Sequence, residues 1–236
     1  MKFPCRIDKF VSHLTELPRT KVKAGIKKNK VTVNGETITK FDHSITLDDQ
    51  VTWQGESLKY LGKRYFMLNK PVGYVCANSD ELHTTVFDLL DETHLKDFHV
   101  AGRLDIDTTG LVLLTNDGDW SHKITSPKKQ KYKTYLVETQ DIITSEAIEQ
   151  LQNGVQLHNE KHPTAPAIVE QLASYSLRLS IYEGKYHQVK RMLAAVGNKV
   201  VELHRENIAG IALDEALSAG EYRLLTDEEI NIINAK

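Results

Sequence analysis

Residues 101–118 read AGRLDIDTTGLVLLTNDG. An arginine and two carboxylates, Arg103, Asp105 and Asp107, precede an apolar run, Leu111–Leu114, with the character of a buried strand. Asp107, Thr108, Thr109 and Gly110 are turn chemistry, which suits a solvated loop. Asp105 is different, because it lies between Leu104 and Ile106 with Arg103 close by. A buried carboxylate that loses its partner costs on the order of 3–5 kcal/mol, so such groups concentrate where the charge has a task. This stretch alone leaves two readings open, a catalytic Asp105 and a structural Arg–Asp pair.

The chain of 236 residues around it has room for one large domain or two modest ones. Its apolar fraction of 40% and charged fraction of 26% are those of a soluble protein. No apolar run approaches the roughly 20 residues that span a bilayer, and MKFPCRIDKF lacks the apolar core of a signal peptide. Cys5 and Cys76 are too few for a disulfide framework. A reduced, cytoplasmic protein without a membrane partner is expected.

The net charge of −2 hides an asymmetry. Residues 1–40 hold ten cations and three anions, a net +7, whereas residues 61–236 hold 19 cations and 25 anions, a net −6. Within RTKVKAGIKKNK (19–30) there are six cations and no anion, a composition that suits an anionic partner. Ile7, Phe10, Val11 and Leu14 have helical spacing, and the pattern ends near Thr15 ahead of Pro18. A second helix is expected over 19–29, followed by a hairpin in KVTVNGETIT around Asn34-Gly35 and a short strand at Val51–Trp53. The polar stretch QGESLKYLGKR (54–64) reads as a linker, which makes residues 1–60 a helix–helix–hairpin module and residues 61–236 a second domain.

Beyond the linker, strands are expected over 65–69, 72–77, 98–102, 111–115, 131–139, 167–172, 176–183 and 199–204. Helices are expected over 86–90, 118–125, 144–153, 187–196 and 227–234, the last capped by Thr226. Without regular βα alternation, this order predicts an α+β fold with a mixed, largely antiparallel sheet. No repeat, nucleophile elbow or glycine-rich phosphate loop is present. His158 and His162 in LHNEKH have no third ligand at a useful spacing and read as surface loop. Asp105 and Asp107, two residues apart with Asp107 in a turn, make a poor rigid acid/base pair.

Two further segments carry cations. KKQKYKTYLVET (128–139) leads four lysines into a strand bearing Tyr132 and Tyr135, either a lysine-guarded edge or a phosphate approach to an aromatic platform. In YEGKYHQVKRMLAAVG (182–197), Val189, Leu193 and Val196 form the core stripe, and Lys190 and Arg191 point off it. Cations in the first turn of a helix oppose its dipole unless an anion faces them, and Asp105 is a candidate anion.

Taken together, these segments resemble the pseudouridine synthases. GRLDIDTTGL resembles the family's G-R-L-D-x-x-T-x-G-L motif, whose catalytic aspartate falls on Asp105. KTYLV resembles the strand whose tyrosine falls on Tyr135, and HQVKRM the segment whose aspartate-facing cation falls on Lys190, where many relatives have arginine. Residues 1–60 resemble an S4 RNA-binding domain. TNDGDWSHKITSP, GVQLHNEK and GNKVVELHRENIAGI resemble the members that act on small-subunit rRNA.

The resemblance implies isomerisation of a uridine in 16S rRNA, uridine 516, in bare rRNA or a partly assembled small subunit. It implies a monomer with Asp105, Tyr135 and Lys190 as catalytic residues and no cofactor or metal. RNA contacts are expected at Arg103, Arg191, Arg19, Lys23, Lys27, Lys28, Lys129 and Lys131. The alternatives are a synthase for large-subunit rRNA and a non-catalytic S4 RNA-binding protein.

Overall fold

Leu111, Val112, Leu113 and Leu114 are apolar in succession because their strand is covered on both faces. Successive side chains of a strand point to opposite sides. Leu111 and Leu113 pack in a cluster with Trp120, Ile124, Ile208 and Leu225, while Val112 and Leu114 join Phe66, Leu68, Phe98 and Val137 on the other side. The computed structural model describes residues 1–234, which divide into two units at Gly62/Lys63.

The first unit runs β1 (Cys5–Arg6), α1 (Ile7–Thr15), α2 (Arg19–Lys27), β2 (Val31–Val33), β3 (Glu36–Thr37), β4 (Ser44–Ile45), β5 (Val51–Trp53) and β6 (Glu56–Leu58). Ile7, Phe10, Val11 and Leu14 bury the stripe their spacing predicts, against Val22, Ile26, Val31 and Val51. Gly25 is required in α2, since a Cβ there would overlap the Trp53 ring. Asn34 and Gly35 both take positive φ (51° and 84°), the backbone of a tight hairpin turn between β2 and β3.

Two expectations are corrected here. The stretch 54–64 is no simple linker: Gln54 and Gly55 form a second positive-φ turn, and β6 pairs with β5. The cations of 19–30 also have an anion, eleven residues before Arg19. Asp8, fully buried at the start of α1, takes Arg19 at 2.8 Å, Arg6 at 3.0 Å and Lys23 at 3.9 Å. Burial pushes the Asp8 carboxyl up, but hydrogen bonds from Arg6 and Arg19 outweigh it and hold its pKa below the usual carboxylate range. Arg19 and Lys23 are therefore partly neutralised, whereas Lys27 and Lys28 stand exposed.

The second unit contains β7 (Tyr65–Lys70), β8 (His99–Val100), β9 (Thr109–Thr115), α3 (Gly118–Thr125), β10 (Lys133–Thr139), α4 (Ser145–Asn153), β11 (Ile168–Gln171), β12 (Ser176–Ile181), α5 (Gln188–Ala195), β13 (Val200–Ile208), β14 (Ile211–Ala212), β15 (Tyr222–Leu224) and α6 (Asp227–Asn234). Its sheet runs β11-β12-β10-β13-β9-β7-β15, with β14 on β13 and β8 on β9. Every pairing is antiparallel except β9 with β13, so the sheet is mixed and largely antiparallel. Side-chain caps start α3, α4 and α6: the Asp117 carboxylate accepts from the Asp119 and Trp120 amides, Thr144 from Ala147, and Thr226 from Glu229.

Residues 72–77 are not a strand and make only an isolated bridge, Val75 to Thr85. Pro71 and the positive-φ Gly73 (93°) turn the chain away from the sheet. The expected helix over 86–90 is a 3₁₀ turn, Val86–Leu89, held by a Thr85/Asp88 capping box. The edge strand β15 and the last four residues of β13 were not anticipated.

Candidate active site

The parallel pairing of β9 with β13 builds the site. Arg205 of β13 lies opposite Gly110 of β9. A Cβ on Gly110 would fall 2.7 Å from the Arg205 amide nitrogen and closer still to its carbonyl oxygen, and Gly110 has φ 101°. Only glycine lets the two backbones approach this closely.

Arg205 is 1% exposed and has no carboxylate partner among the described residues. Its guanidinium instead donates to the carbonyls of Leu111 (2.8 Å), Gly102 (2.6 Å) and Arg103 (3.2 Å). Lys70, fully buried at the end of β7, approaches the loop from another direction. Its ammonium donates to the carbonyls of Pro71 (2.9 Å), Thr108 (2.8 Å) and Ile106 (3.3 Å). Burial depresses its pKa, and the nearby carboxylates of Asp107 and Asp105 oppose that shift. The Leu104 amide donates to Cys76 Sγ at 3.3 Å, and the Thr108 amide to the Asp105 carbonyl at 3.1 Å. Two buried cations thus fix the backbone of the loop that carries Asp105.

The first turn of α5 faces this loop. Lys190 Nζ lies 3.4 Å from Asp105 Oδ2 and 2.5 Å from Asp107 Oδ1. The hydrogen bond from Lys190 holds the Asp107 carboxyl below its ordinary range against a smaller effect of burial. His187 Nε2 lies 3.5 Å from Asp105 Oδ1. The first turn itself is organised by Gln188, a buried amide that accepts from the Lys185 amide at 2.9 Å and donates to Glu183 Oε2 at 2.8 Å.

Tyr135 on β10 pairs with Arg205 across the sheet, and its ring centroid is 5.9 Å from the guanidinium. Arg205 therefore touches Tyr135 on one side and the carbonyls of the Asp105 loop on the other. Tyr135 is only 9% exposed, so it is a wall of the site rather than an open platform.

The remaining candidates separate. Arg103 is exposed beside Asp105, and its guanidinium makes no hydrogen bond or ion pair with a described residue. Arg191 turns away to Glu160 (3.2 Å) and to the carbonyls of Tyr186 and His158, so it is a brace between α5 and the 158–160 loop. Lys129 is exposed on a 3₁₀ turn, Pro127–Lys129, and Lys131 is half-buried. Lys133, read from sequence as one of four solvent-facing lysines, is buried. It donates to the Tyr182 carbonyl at 3.2 Å, and burial, aided by Arg205, brings its pKa down to about 8. Among the described residues no group of histidine, cysteine, aspartate or glutamate could hold a metal ion.

This arrangement of a half-buried carboxylate, a lysine and a histidine beside it and a walling tyrosine coincides with a family match. The family described as RNA pseudouridylate synthase matches residues 64–195, more than half of the chain. The chain belongs to the RNA pseudouridylate synthases. It is 52% identical over 226 residues to the ribosomal small subunit pseudouridine synthase A of Escherichia coli K12, covering 95% of this chain and 98% of that one. The same-named proteins of Yersinia pestis and Vibrio cholerae are 48% and 45% identical, at 98% and 95% coverage of this chain and 98% and 97% of theirs. A crystal structure of a pseudouridylate synthase is 46% identical and superposes with a TM-score of 0.71 over 97% of this chain and 99% of that one. The matched region of the synthase includes Lys70, Asp105, Tyr135 and Lys190 and stops before Arg205.

Sequence reasoning missed Lys70, Arg205 and His187. Lys70 was within reach, because it shares parity with Phe66 and Leu68, which face the core. Arg205 shares parity with buried Leu203 alone, between exposed Val201 and half-buried Asn207 on the same face, and leaves a weaker trace.

Proposed function

We propose that this synthase converts uridine 516 of 16S rRNA to pseudouridine. The observation that carries the reading is the Asp105–Lys190 pair at 3.4 Å, seated on a backbone that Lys70 and Arg205 hold rigid. The names of the relatives, which specify the small ribosomal subunit, support the choice of RNA.

The target uridine leaves its stack to reach the carboxylate, at a cost of a few kcal/mol. Phosphate contacts and Tyr135 offset that cost. Asp105, paired with Lys190, acts where the base joins the ribose. The N1–C1′ bond breaks, the detached uracil turns, and a C5–C1′ bond forms. The C5 proton is then lost and N1 gains one, so the product is an isomer and no redox partner is consumed. The walling Tyr135 is the candidate acceptor of the C5 proton.

Exposed Arg103, Lys27, Lys28 and Lys129, with Lys131, Arg19 and Lys23 less available, supply phosphate contacts in this reading. Residues 1–62 act as an S4-like RNA-binding module that adds affinity. The protein works as a cytoplasmic monomer on bare 16S rRNA or on a partly assembled small subunit. The test is incubation with 16S rRNA fragments, followed by carbodiimide-dependent primer stops. A stop at uridine 516 with the wild-type chain, absent with Asp105→Asn, is the expected result. Stops only on 23S rRNA would overturn the choice of substrate.

A further inference from the structure

Tyr186 holds its ring in solvent at 76% exposure, among the most exposed large side chains of the described residues. The ring stacks on His187, with centroids 3.8 Å apart and planes 20° from parallel. His187 in turn contacts Asp105 at 3.5 Å, so the stack begins at the catalytic carboxylate and ends in solvent. The pair is held firmly. Arg191 donates to the Tyr186 carbonyl at 3.0 Å and to Glu160 at 3.2 Å, and Glu160 also pairs with Lys185 at 3.1 Å. Neither ring takes part in the bond changes proposed at Asp105.

We propose that the Tyr186–His187 stack is a nucleobase subsite, taking the base that flanks the target uridine. The inference rests on the reading of Asp105 as the site of uridine isomerisation. Extruding a base leaves its neighbour with one bare face, and an aromatic ring beside the extruded base supplies a replacement partner. His187 covers one side of Tyr186 and exposure leaves the rest open. Lys185 is paired with Glu160 and Lys190 with Asp105 and Asp107, which leaves exposed Arg103 as the cation for a phosphate beside this stack and suits a nucleotide better than an apolar peptide. Stacking tolerates any base, so the subsite contributes affinity and placement rather than sequence choice.

The test uses the full chain and a 16S rRNA fragment spanning uridine 516, with 2-aminopurine placed on its 5′ or 3′ side. For the wild type, fluorescence at one flank changes on binding. Tyr186→Leu should remove that change and raise Kd about 5- to 150-fold, the range expected for one base–aromatic stack, without altering Tm. Tyr186→Phe should restore both to within about twofold. Wild-type Kd and fluorescence in Tyr186→Leu would overturn the subsite. So would Tyr186→Phe behaving like Tyr186→Leu, since the hydroxyl and not the ring would then carry binding. Conversion is followed in the same fragment. If the wild type converts its uridine and Tyr186→Leu binds normally, only the subsite fails. If the wild type converts nothing there, the functional reading itself fails.

Discussion

Asp105 and Asp107 share one lysine but stand in different surroundings. The Asp105 side chain is 29% exposed and also meets His187, whereas that of Asp107 is 63% exposed. Asp105→Asn keeps size and loses charge, so we expect pseudouridine formation to fall by at least about 10²–10⁴-fold, with RNA affinity nearly unchanged. Asp107→Asn should lose less than about tenfold, because Lys190 then has Asp105 to itself. Tritium release from C5-labelled 16S rRNA in single turnover measures both, and equal losses would make the two carboxylates a working pair. Lys190→Arg should retain most of the rate and Lys190→Met little, since the charge facing Asp105 is the requirement. That Asp105 and Lys190 face each other was legible because opposite charges are written in residue type. The burial of Lys70 could be read from its parity, but its role and that of Arg205 could not, because both are solvated by main-chain carbonyls, which every residue owns.

Among the elements, the site hangs on the contact between β9 and β13. Gly110→Ala places a Cβ against the Arg205 backbone at a positive φ, combining steric crowding with backbone strain. A loss on the order of 2–5 kcal/mol is expected, read as a lower urea midpoint, with activity falling further because Arg205 shifts. Strands covered on both faces, such as β9, announce themselves as unbroken apolar runs. The run at 72–77 looked strand-like but has no sheet neighbour to pair with; its backbone instead braces the loop of Asp105, where the Gly73 amide donates to the Ile106 carbonyl at 2.8 Å. Strand propensity describes a surface that fits a sheet and says nothing of whether the sheet is there.

Each of the two units has its own core, one around Ile7, Val11 and Ile26 and the other around the nine-stranded sheet. Residues 63–236 alone should therefore fold and keep the single-turnover rate at saturating RNA. They should bind more weakly and with a flatter salt dependence, by about 0.7 in log–log slope for each phosphate that the first unit engages. An unchanged slope would assign the phosphate contacts to the second unit. The buried cations set a second whole-molecule property. Lys133 has a folded pKa of about 8 against an ordinary 10.5, so between these values the unfolded chain holds a proton that the folded chain has released. Unfolding takes up that proton, and stability attributable to Lys133 rises with pH across this window, by up to about 1.4 kcal/mol per unit. Lys133→Met should flatten the urea-midpoint profile from pH 8 to 10 relative to the wild type. Two units and a mixed sheet could be read from charge asymmetry and hydrophobic period. The exact division could not, because a hairpin as polar as β5–β6 looks like a linker until its partner strand is seen.

The carbonyls of Gly102, Arg103, Asp105, Ile106 and Thr108 are all engaged, by Arg205, by Lys70 or within the loop. A backbone pinned at so many points has little freedom to mould itself to a visitor. The adjustment then falls on the RNA, and its work of distortion becomes a means of choosing among uridines. Sites in soft, weakly stacked RNA would be admitted and those in stiff helices refused, whatever bases surround them. Rigidity on the protein side thus lets the enzyme sort its substrates by their mechanical compliance.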